Sequence, residues 1–477
     1  MDHKANNRKG KQMNKTVLFS PLGGTDPISQ INCRDGSMLH ICRHEKPDKV
    51  YLYLSKEMVD YEQKDRRYSY CLERLMELQD RKFEVVMIKR PDLEKVHDFD
   101  FFYPEFTRII DSILREEMDE TDTLILNISS GSPAMKSALA VIKTIAEFPC
   151  RLVQVTTPGR AINRHDNSDY DPVLVWECDD DNKPGEENRC DDVELPSLTR
   201  MKKEEIIKKL VSEYDYHAAL QVSESMPANM TNGYTDLLKM AVARLNYDLD
   251  DVKSYEGKTG YQLPVKKYEA CKRLEYALIL QVKLKRKEYA DYIRAITPLI
   301  VDLFEQVLKT KCGIEIDDYC INPKRGSKSS NARDRGKSST NGDRSANESK
   351  KRDRKWSKNK LEGTEVLSIL QNNYVDTPFR YGPISSDHLK VLIEYYSTDE
   401  GLKTLARRLR DAESNVRNLA AHEMASIDDD KIRELTGQSA NAMMRDIRSF
   451  FGYTDYSIPK EAWDSYEVMN RVIIETM

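Results

Sequence analysis

An arginine, an asparagine and a histidine near the C-terminus are the side chains of this sequence best suited to phosphodiester chemistry. They stand as Arg417, Asn418 and His422 in the run Ser414-Asn415-Val416-Arg417-Asn418-Leu419-Ala420-Ala421-His422-Glu423. A histidine exchanges protons near neutral pH, and a guanidinium stabilises the extra negative charge of a phosphorane. RNA brings its own nucleophile in the 2'-OH, so such a pair could cut it without a metal and leave a 2',3'-cyclic phosphate and a 5'-OH. Spacing does not single this pair out. Arg34 with His40, Arg90 with His97 and Arg160 with His165 show the same order with four to six residues between, and a surface arginine beside a partly exposed helix histidine is the plain structural alternative. What differs is the setting. Leu402, Leu405, Leu409, Ala412, Val416 and Leu419 recur at helical spacing, and Arg417 and His422 flank that stripe. On a straight helix, positions five apart diverge by about 140°. A dimer formed through the stripe, or a local break near Asn418, would bring the groups into one cleft.

A second chemistry is written into two loops of the N-terminal part. Ser20-Pro21-Leu22-Gly23-Gly24-Thr25-Asp26-Pro27 follows a strand-like run, and its glycines would let backbone amides approach a ligand while Thr25 and Asp26 offer hydrogen bonds. Asn127-Ile128-Ser129-Ser130-Gly131-Ser132-Pro133-Ala134-Met135-Lys136 follows another. There Ser132 fits an N-cap and Pro133 the first helical position. A helix start of this kind presents free amides and a positive dipole end to an anion, with the hydroxyls of Ser129, Ser130 and Ser132 around it and Lys136 one turn in. Ordinary turn punctuation would also produce either loop alone. Neither is a GxGxxG fingerprint, so a dinucleotide redox cofactor is disfavoured.

The elements that must carry these groups fall into two halves. Over the first 180 residues, strand candidates Thr16–Ser20, Lys49–Leu54, Phe83–Ile88, Thr123–Ile128, Arg151–Thr156 and Val173–Trp176 alternate with amphipathic stretches at Tyr68–Asp80, Phe102–Met118 and Ser132–Phe148. That alternation predicts a Rossmann-like, parallel, doubly wound sheet with both loops at strand carboxyl ends near a switch point. From about Leu198 the strand signal disappears, and runs such as Ile293, Ile296, Ile300, Leu303, Phe304 and Val307 predict an all-α remainder. The fold class is therefore α/β followed by all-α.

Charge is distributed unevenly along the 477 residues. Residues 321–360 hold 14 Lys and Arg against 4 Asp and Glu, which leaves the other 437 residues at −15 of the overall −5. From Lys324 onward this basic stretch lacks apolar residues large enough to form a core until Trp356 and is expected to be a disordered insertion, because it cannot bury enough surface to offset its ordering entropy. Glu177–Glu194, with nine acidic and two basic residues, reads as a solvated tether. No run reaches the roughly 18 apolar residues of a membrane span. The N-terminal MDHKANNRKGKQMNK lacks a secretory core, so the cytoplasm is expected. Nine scattered cysteines without a CxxC pair, and eight histidines without HExxH or HxH, predict no metal site and no catalytic cofactor.

Taken together, GGTDP after the first strand, SSGSPAM after the fourth and RNLAAH near the end of an all-α half resemble the Csm-type ancillary ribonucleases of type III CRISPR systems, which pair a CARF sensor domain with a HEPN nuclease domain. The resemblance spans nearly the whole chain by order of parts: a CARF domain over 14–180, a helical middle domain over 195–285, and a HEPN domain over 286–477 containing the basic insertion. It implies a homodimer in which the CARF pair binds a cyclic oligoadenylate, of six adenylates rather than four, made by the CRISPR effector on meeting foreign transcript. Gly24, Thr25, Asp26, Asn127, Ser129, Ser130, Gly131, Ser132, Met135 and Lys136 would form the messenger site. Arg417, Asn418 and His422 would form the nuclease site, degrading single-stranded RNA. Relatives with threonine in the second loop also cleave the messenger, and Ser132 here leaves that activity open. The insertion departs from the family pattern, and either holds RNA phosphates or is a dispensable loop. Two other functions remain consistent with the residues: a ligand-sensing regulator that cuts nothing, and a HEPN toxin controlled by another nucleotide.

Overall fold

In the computed structural model, residues 14–145, 148–157, 169–321, 354–374, 379–422 and 426–477 are described, with backbone alone at 416–422. The chain divides into two compact units, Met1–Lys202 and Lys203–Met477.

The first unit is built on a six-stranded sheet. Its strands are β1 (Thr16–Pro21), β4 (Lys49–Leu54), β5 (Glu84–Lys89), β6 (Thr123–Asn127), β7 (Cys150–Val155) and β8 (Cys190–Asp192), while β2 (Ile28–Ser29) and β3 (Arg34–Asp35) form a separate small hairpin. The order across the sheet is β5-β4-β1-β6-β7-β8, parallel throughout except for the antiparallel last pair. Val17, Leu18, Phe19, Leu124, Ile125 and Leu126 are buried on both faces, as near-continuous apolar runs require of central parallel strands. Arg67–Leu78 buries Leu72 and Leu75 on one face of the sheet. Phe99–Glu117 and Pro133–Ile145 cover the other through Phe102, Phe106, Ile110, Met135, Leu139 and Ile142.

The sequence misleads at the end of this unit. Val173–Trp176 is not a strand but part of the helix Pro172–Glu177: the Asp171 carboxylate accepts from the Val173 and Leu174 amides, and Pro172 sits at the first turn. The sixth strand is instead β8, inside the acidic stretch expected to be a solvated tether. Asp179, Asp181 and Arg189 are buried there.

The second unit is helical, and one apolar core runs through it from Ile207 to Ile473, so its middle and C-terminal helices share it. Tyr289–Lys311 buries Ile293, Ile296, Ile300, Leu303, Phe304 and Val307. The helix Glu400–His422 packs against it and against Ser386–Tyr396, burying Leu402, Leu405, Leu409 and Ala412. These four positions of the stripe are thus consumed within the chain and are not open for self-association. Among the described residues, no helix is long and apolar enough to cross a membrane.

Residues 322–353 of the expected insertion lie outside the described residues, but its flanks are ordered. Cys320–Ile321 pairs antiparallel with Lys355–Trp356, Arg354 forms ion pairs with Glu305 and Asp317, and Trp356 is buried with its indole N–H donating to His388 Nδ1 (3.0 Å). The boundary at 360 is therefore too late: the sequence between Arg354 and Lys360 folds because Trp356 brings enough apolar surface to anchor it. Since Ile321 and Lys355 are ladder partners, about 5 Å apart, replacing 322–353 by a short glycine linker should leave the melting temperature at the wild-type value. A deletion extended through Ser357 removes the buried tryptophan and should destabilise the unit by roughly 3–5 kcal/mol, measured by chemical denaturation.

Candidate functional site

The two loops meet because their strands are neighbours. β1 is flanked by β4 on one side and β6 on the other, so the direction of strand addition reverses between β1 and β6, and a crevice opens outside their carboxyl ends. The buried carboxylate of Asp26 joins three segments there. Its Oδ2 accepts from the Gly23 amide (3.0 Å) and the Ser130 hydroxyl, and its Oδ1 accepts from the Met38 amide (3.1 Å) at the start of the helix Ser37–Glu45. Burial pushes the Asp26 carboxyl above its ordinary range, against these three hydrogen bonds that favour the charged form.

Asn127 does the same from the other strand. Its side-chain amide donates to Ser20 Oγ (2.9 Å) and Ser37 Oγ (3.1 Å), and its carbonyl accepts from the Ser129 amide (2.9 Å). The Ser129 hydroxyl in turn accepts from the Val155 amide at the end of β7 (2.7 Å). Ser132 caps the next helix by accepting from the Met135 amide (3.2 Å), as its position before Pro133 predicts. Close approach dictates the glycines. A side chain at Gly131, whose φ is +84°, would meet Met135 Sδ at 2.9 Å, and one at Gly36 would meet the Thr25 carbonyl oxygen at 2.5 Å.

The ten residues singled out from sequence therefore sort by exposure. Asp26, Asn127, Ser130 and Met135 are buried and brace the loops; Gly24, Thr25, Ser129, Gly131, Ser132 and Lys136 are partly exposed around the crevice. Sequence reading named Ser20 only as the start of the first loop, and missed Gly36 and Ser37. The signal for the last two was available, since Gly36-Ser37 directly precedes the apolar run Met38, Leu39, Ile41 and Cys42, a helix start. Two helices thus begin at the crevice and aim their amide ends toward it, which suits a polyanionic ligand.

Behind that second helix lies a buried ionic cluster. Arg43 grips Asp35 with both arms (Nε 2.6 Å, Nη2 3.0 Å), while Asp181 receives Arg34 (2.7 Å), Arg189 (2.6 Å) and the Asp35 amide (2.9 Å). His40 Nε2 accepts from the Arg189 backbone amide (3.0 Å). The pair Arg34 and His40, one of the three set aside from sequence, is brought together here for structure. Asp35, His40 and Asp181 approach closely enough to hold a metal ion. Yet the guanidiniums of Arg34, Arg43 and Arg189 already engage the carboxylates of Asp35 and Asp181, and His40 Nε2 is occupied, so the chemistry is that of an ion-pair network. Burial of Asp181 is outweighed by the hydrogen bond from His40 and the charge of Arg189, which hold its carboxyl well below the usual range.

Asp179 behaves oppositely: burial, then the charge of Asp35, pushes it up to about 8. Its Oδ1 caps the Asp181 amide (3.0 Å). A carboxyl whose pKa is raised on folding contributes stability below its unfolded pKa, near 3.9, and loses it as pH rises through the folded value. Unfolding free energy should therefore fall between about pH 4 and pH 8 by up to about 1.4 kcal/mol per pH unit from this one proton. Asp179→Asn, which keeps the cap, should flatten that slope and stabilise the protein at pH 8, measured by urea denaturation across the pH range.

In the second unit, Arg417, Asn418 and His422 lie on the last turns of Glu400–His422, whose backbone is helical through His422. The break envisaged near Asn418 is absent, and positions 417 and 422 keep their divergence of about 140° around one helix. Their side chains lie outside the described residues. The helix is fixed upstream: the buried Glu413 accepts from the Ser386 hydroxyl and Arg410 Nη1 (3.2 Å), and Arg410 Nε also donates to Asp387 (3.3 Å).

Fold and crevice define a two-part protein, an α/β unit with a ligand crevice at its switch point and a helical unit carrying an arginine, asparagine and histidine on one late helix. Models of the Cas_Csm6 CARF domain, the Csm6 6H domain and the Cas_Csm6 HEPN domain match residues 84–190, 193–245 and 262–474. The chain is 30% identical over 421 residues to the CRISPR system endoribonuclease Csm6 of Mycobacterium tuberculosis (strain ATCC 25618 / H37Rv), covering 87% of this chain and 89% of that one. It is 27% identical over 311 residues to the CRISPR system endoribonuclease Csm6' of Streptococcus thermophilus, covering 64% and 75%. A solved structure of Enterococcus italicus Csm6 bound to cyclic hexa-2'-fluoro-hexa-dAMP superposes with a TM-score of 0.65 at 19% identity, over 97% of this chain and all of that one. The chain belongs to the Csm6 family of CRISPR system endoribonucleases, with CARF, 6H and HEPN domains in that order.

Proposed function

We propose that this chain is a metal-independent endoribonuclease of single-stranded RNA, switched on when a cyclic oligoadenylate made by a type III CRISPR effector fills the crevice of its CARF domain. The observation that carries the messenger half is the crevice itself: two helix starts and two serine- and glycine-rich loops converge at one switch point, a setting for phosphates. Cyclic hexa-adenylate is the proposed form, in keeping with the hexameric analogue bound to Enterococcus italicus Csm6. Gly24, Thr25, Ser129, Gly131, Ser132 and Lys136 make its contacts, and Asp26, Asn127, Ser130 and Met135 hold them in place.

For the nuclease half, an unbroken helix through His422 makes one copy of the chain a poor site, because Arg417 and His422 diverge around it. Two copies meeting over these last turns would supply two of each to one cleft, so the working form is a homodimer in the cytoplasm. With Leu402, Leu405, Leu409 and Ala412 already buried within the chain, the contact between copies is proposed to fall to the last turns. His422 relays the proton from the 2'-OH, Arg417 meets the phosphorane charge, and Asn418 orients the phosphate. The products are a 2',3'-cyclic phosphate and a 5'-OH.

The test uses labelled single-stranded RNA in EDTA with no messenger, cyclic tetra-adenylate or cyclic hexa-adenylate. Wild type should cut with the hexamer, and His422→Ala should lose about 10²-fold or more in rate. Cleavage that survives the substitution, requires a divalent metal, or ignores both messengers contradicts the proposal.

A further inference from the structure

At the root of the basic segment the second unit carries a small two-stranded ladder extended by one further bridge. Lys355 is the antiparallel partner of Ile321 on one side and of Pro383 on the other, and the Trp356 amide donates to the Gly382 carbonyl (3.1 Å) while the Ile384 amide donates to the Arg354 carbonyl (3.2 Å). Residues opposite one another across a ladder share a face, and the face alternates along each strand. The inner face holds the buried Cys320 and Trp356. Ile321, Lys355 and Pro383, opposite one another, are all exposed, and Tyr381, at a bend two residues before Pro383, is 36% exposed beside them in sequence.

Tyr381 is held from behind. Its ring meets Phe379 edge-on at 5.4 Å, and Phe379 packs against Trp356 (6.2 Å) and His388 (5.4 Å). Burial pushes the His388 imidazole below its usual range, so the aromatic base of the platform stays uncharged near neutral pH. The same cluster is joined to the nuclease helix through Tyr374, whose hydroxyl donates to Asp387, the carboxylate that receives Arg410. Arg410 lies seven residues, or about 10 Å of helix, before Arg417. Arg380 is exposed beside Tyr381. The chain between the ladder strands belongs to the most basic stretch of the sequence, 14 Lys and Arg against 4 Asp and Glu over 321–360.

An exposed, braced aromatic ring among cations is what binds a single-stranded nucleic acid: every base has a face that stacks, and every linkage a phosphate. We propose that the exposed bend leading into this ladder, Tyr381 with Arg380, together with the exposed Lys355 bridged to Pro383, is a docking platform for single-stranded RNA, one base stacking on Tyr381 while neighbouring phosphates meet the two cations. The platform rests on the reading of the chain as an RNA-cutting enzyme and adds where the strand is held before it reaches the late turns of Glu400–His422. A peptide or double-stranded partner would use the cations but leave the ring idle.

The test is fluorescence anisotropy of the full-length protein with a short labelled 2'-O-methyl RNA, which binds but cannot be cut, titrated at several salt concentrations. Tyr381→Ala should weaken binding by about tenfold with the salt slope unchanged, and Tyr381→Trp should restore it. Arg380→Gln with Lys355→Gln should lower the slope by about 1.4, roughly 0.7 per lost phosphate contact. A duplex of the same length should be indifferent to Tyr381→Ala. Affinity within twofold of wild type for Tyr381→Ala, or an equal loss on the duplex, overturns the platform. The binding assay needs neither messenger nor His422, so a chain that binds through Tyr381 but never cuts contradicts the nuclease reading alone. A chain that cuts on activation yet ignores Tyr381 contradicts only the platform.

Discussion

A single buried carboxylate organises the head of the CARF domain. Asp26 is taken out of water at a cost that only its three donors offset, and those donors come from its own loop, from the loop after β6 and from the first turn of Ser37–Glu45. The rest of the crevice follows from that convergence. Gly23 must be small because the Gly131 amide lies 3.0 Å from where a side chain would begin, and Gly36 because the Asp26 carboxylate and Thr25 carbonyl crowd it. Asn127 repeats the device one strand over, tying Ser20, Ser37 and Ser129 to one side chain. Pre-ordered loops of this kind spend little entropy on binding, so ligand contacts go into affinity.

The ionic cluster extends the same logic away from the crevice. Ser37–Glu45 touches the ligand loops at one end, and along its length Arg43 and His40 are fastened to Asp35, Asp181 and the Arg189 backbone, immediately before β8 leads out of the sheet. Buried ion pairs add little net stability, but removing one partner costs roughly 3–5 kcal/mol because the other is left charged and dry. The arrangement therefore fixes where the helix sits more than it strengthens the fold.

Much of the architecture was legible in the chain. Five of the six strand candidates appear as strands within a residue or so, since buried β-branched runs admit few alternatives, and the N-cap at Ser132 follows from its hydroxyl standing just before Pro133. Val173–Trp176 deceived because it is a short apolar run, for which strand and helix cannot be told apart by periodicity; the capping Asp171 and Pro172 settle it locally. The acidic stretch deceived because composition counts charges without seeing partners: Arg34, 147 residues earlier, pairs with Asp181, and Asp179 is buried with its pKa pushed up to about 8. The stripe Leu402–Ala412 showed the right periodicity, but periodicity does not say whether the partner is the same chain or another. In the candidate site, residue types pointed to the loops, yet only the fold separates buried bracing side chains such as Asp26 from those exposed around the crevice.

A ribonuclease of this family needs a sensor that does not switch it on by chance, and the prebuilt crevice is proposed to supply that selectivity. The most direct test of its dependence on Asp26 is calorimetric titration of cyclic hexa-adenylate into the full-length protein and into Asp26→Asn, whose amide would place a donor against the amides that now donate to the carboxylate. The account predicts saturable binding by wild type and at least tenfold weaker binding by the variant, about 1.4 kcal/mol or more. Equal affinity of the two proteins, or no binding by wild type, would contradict it.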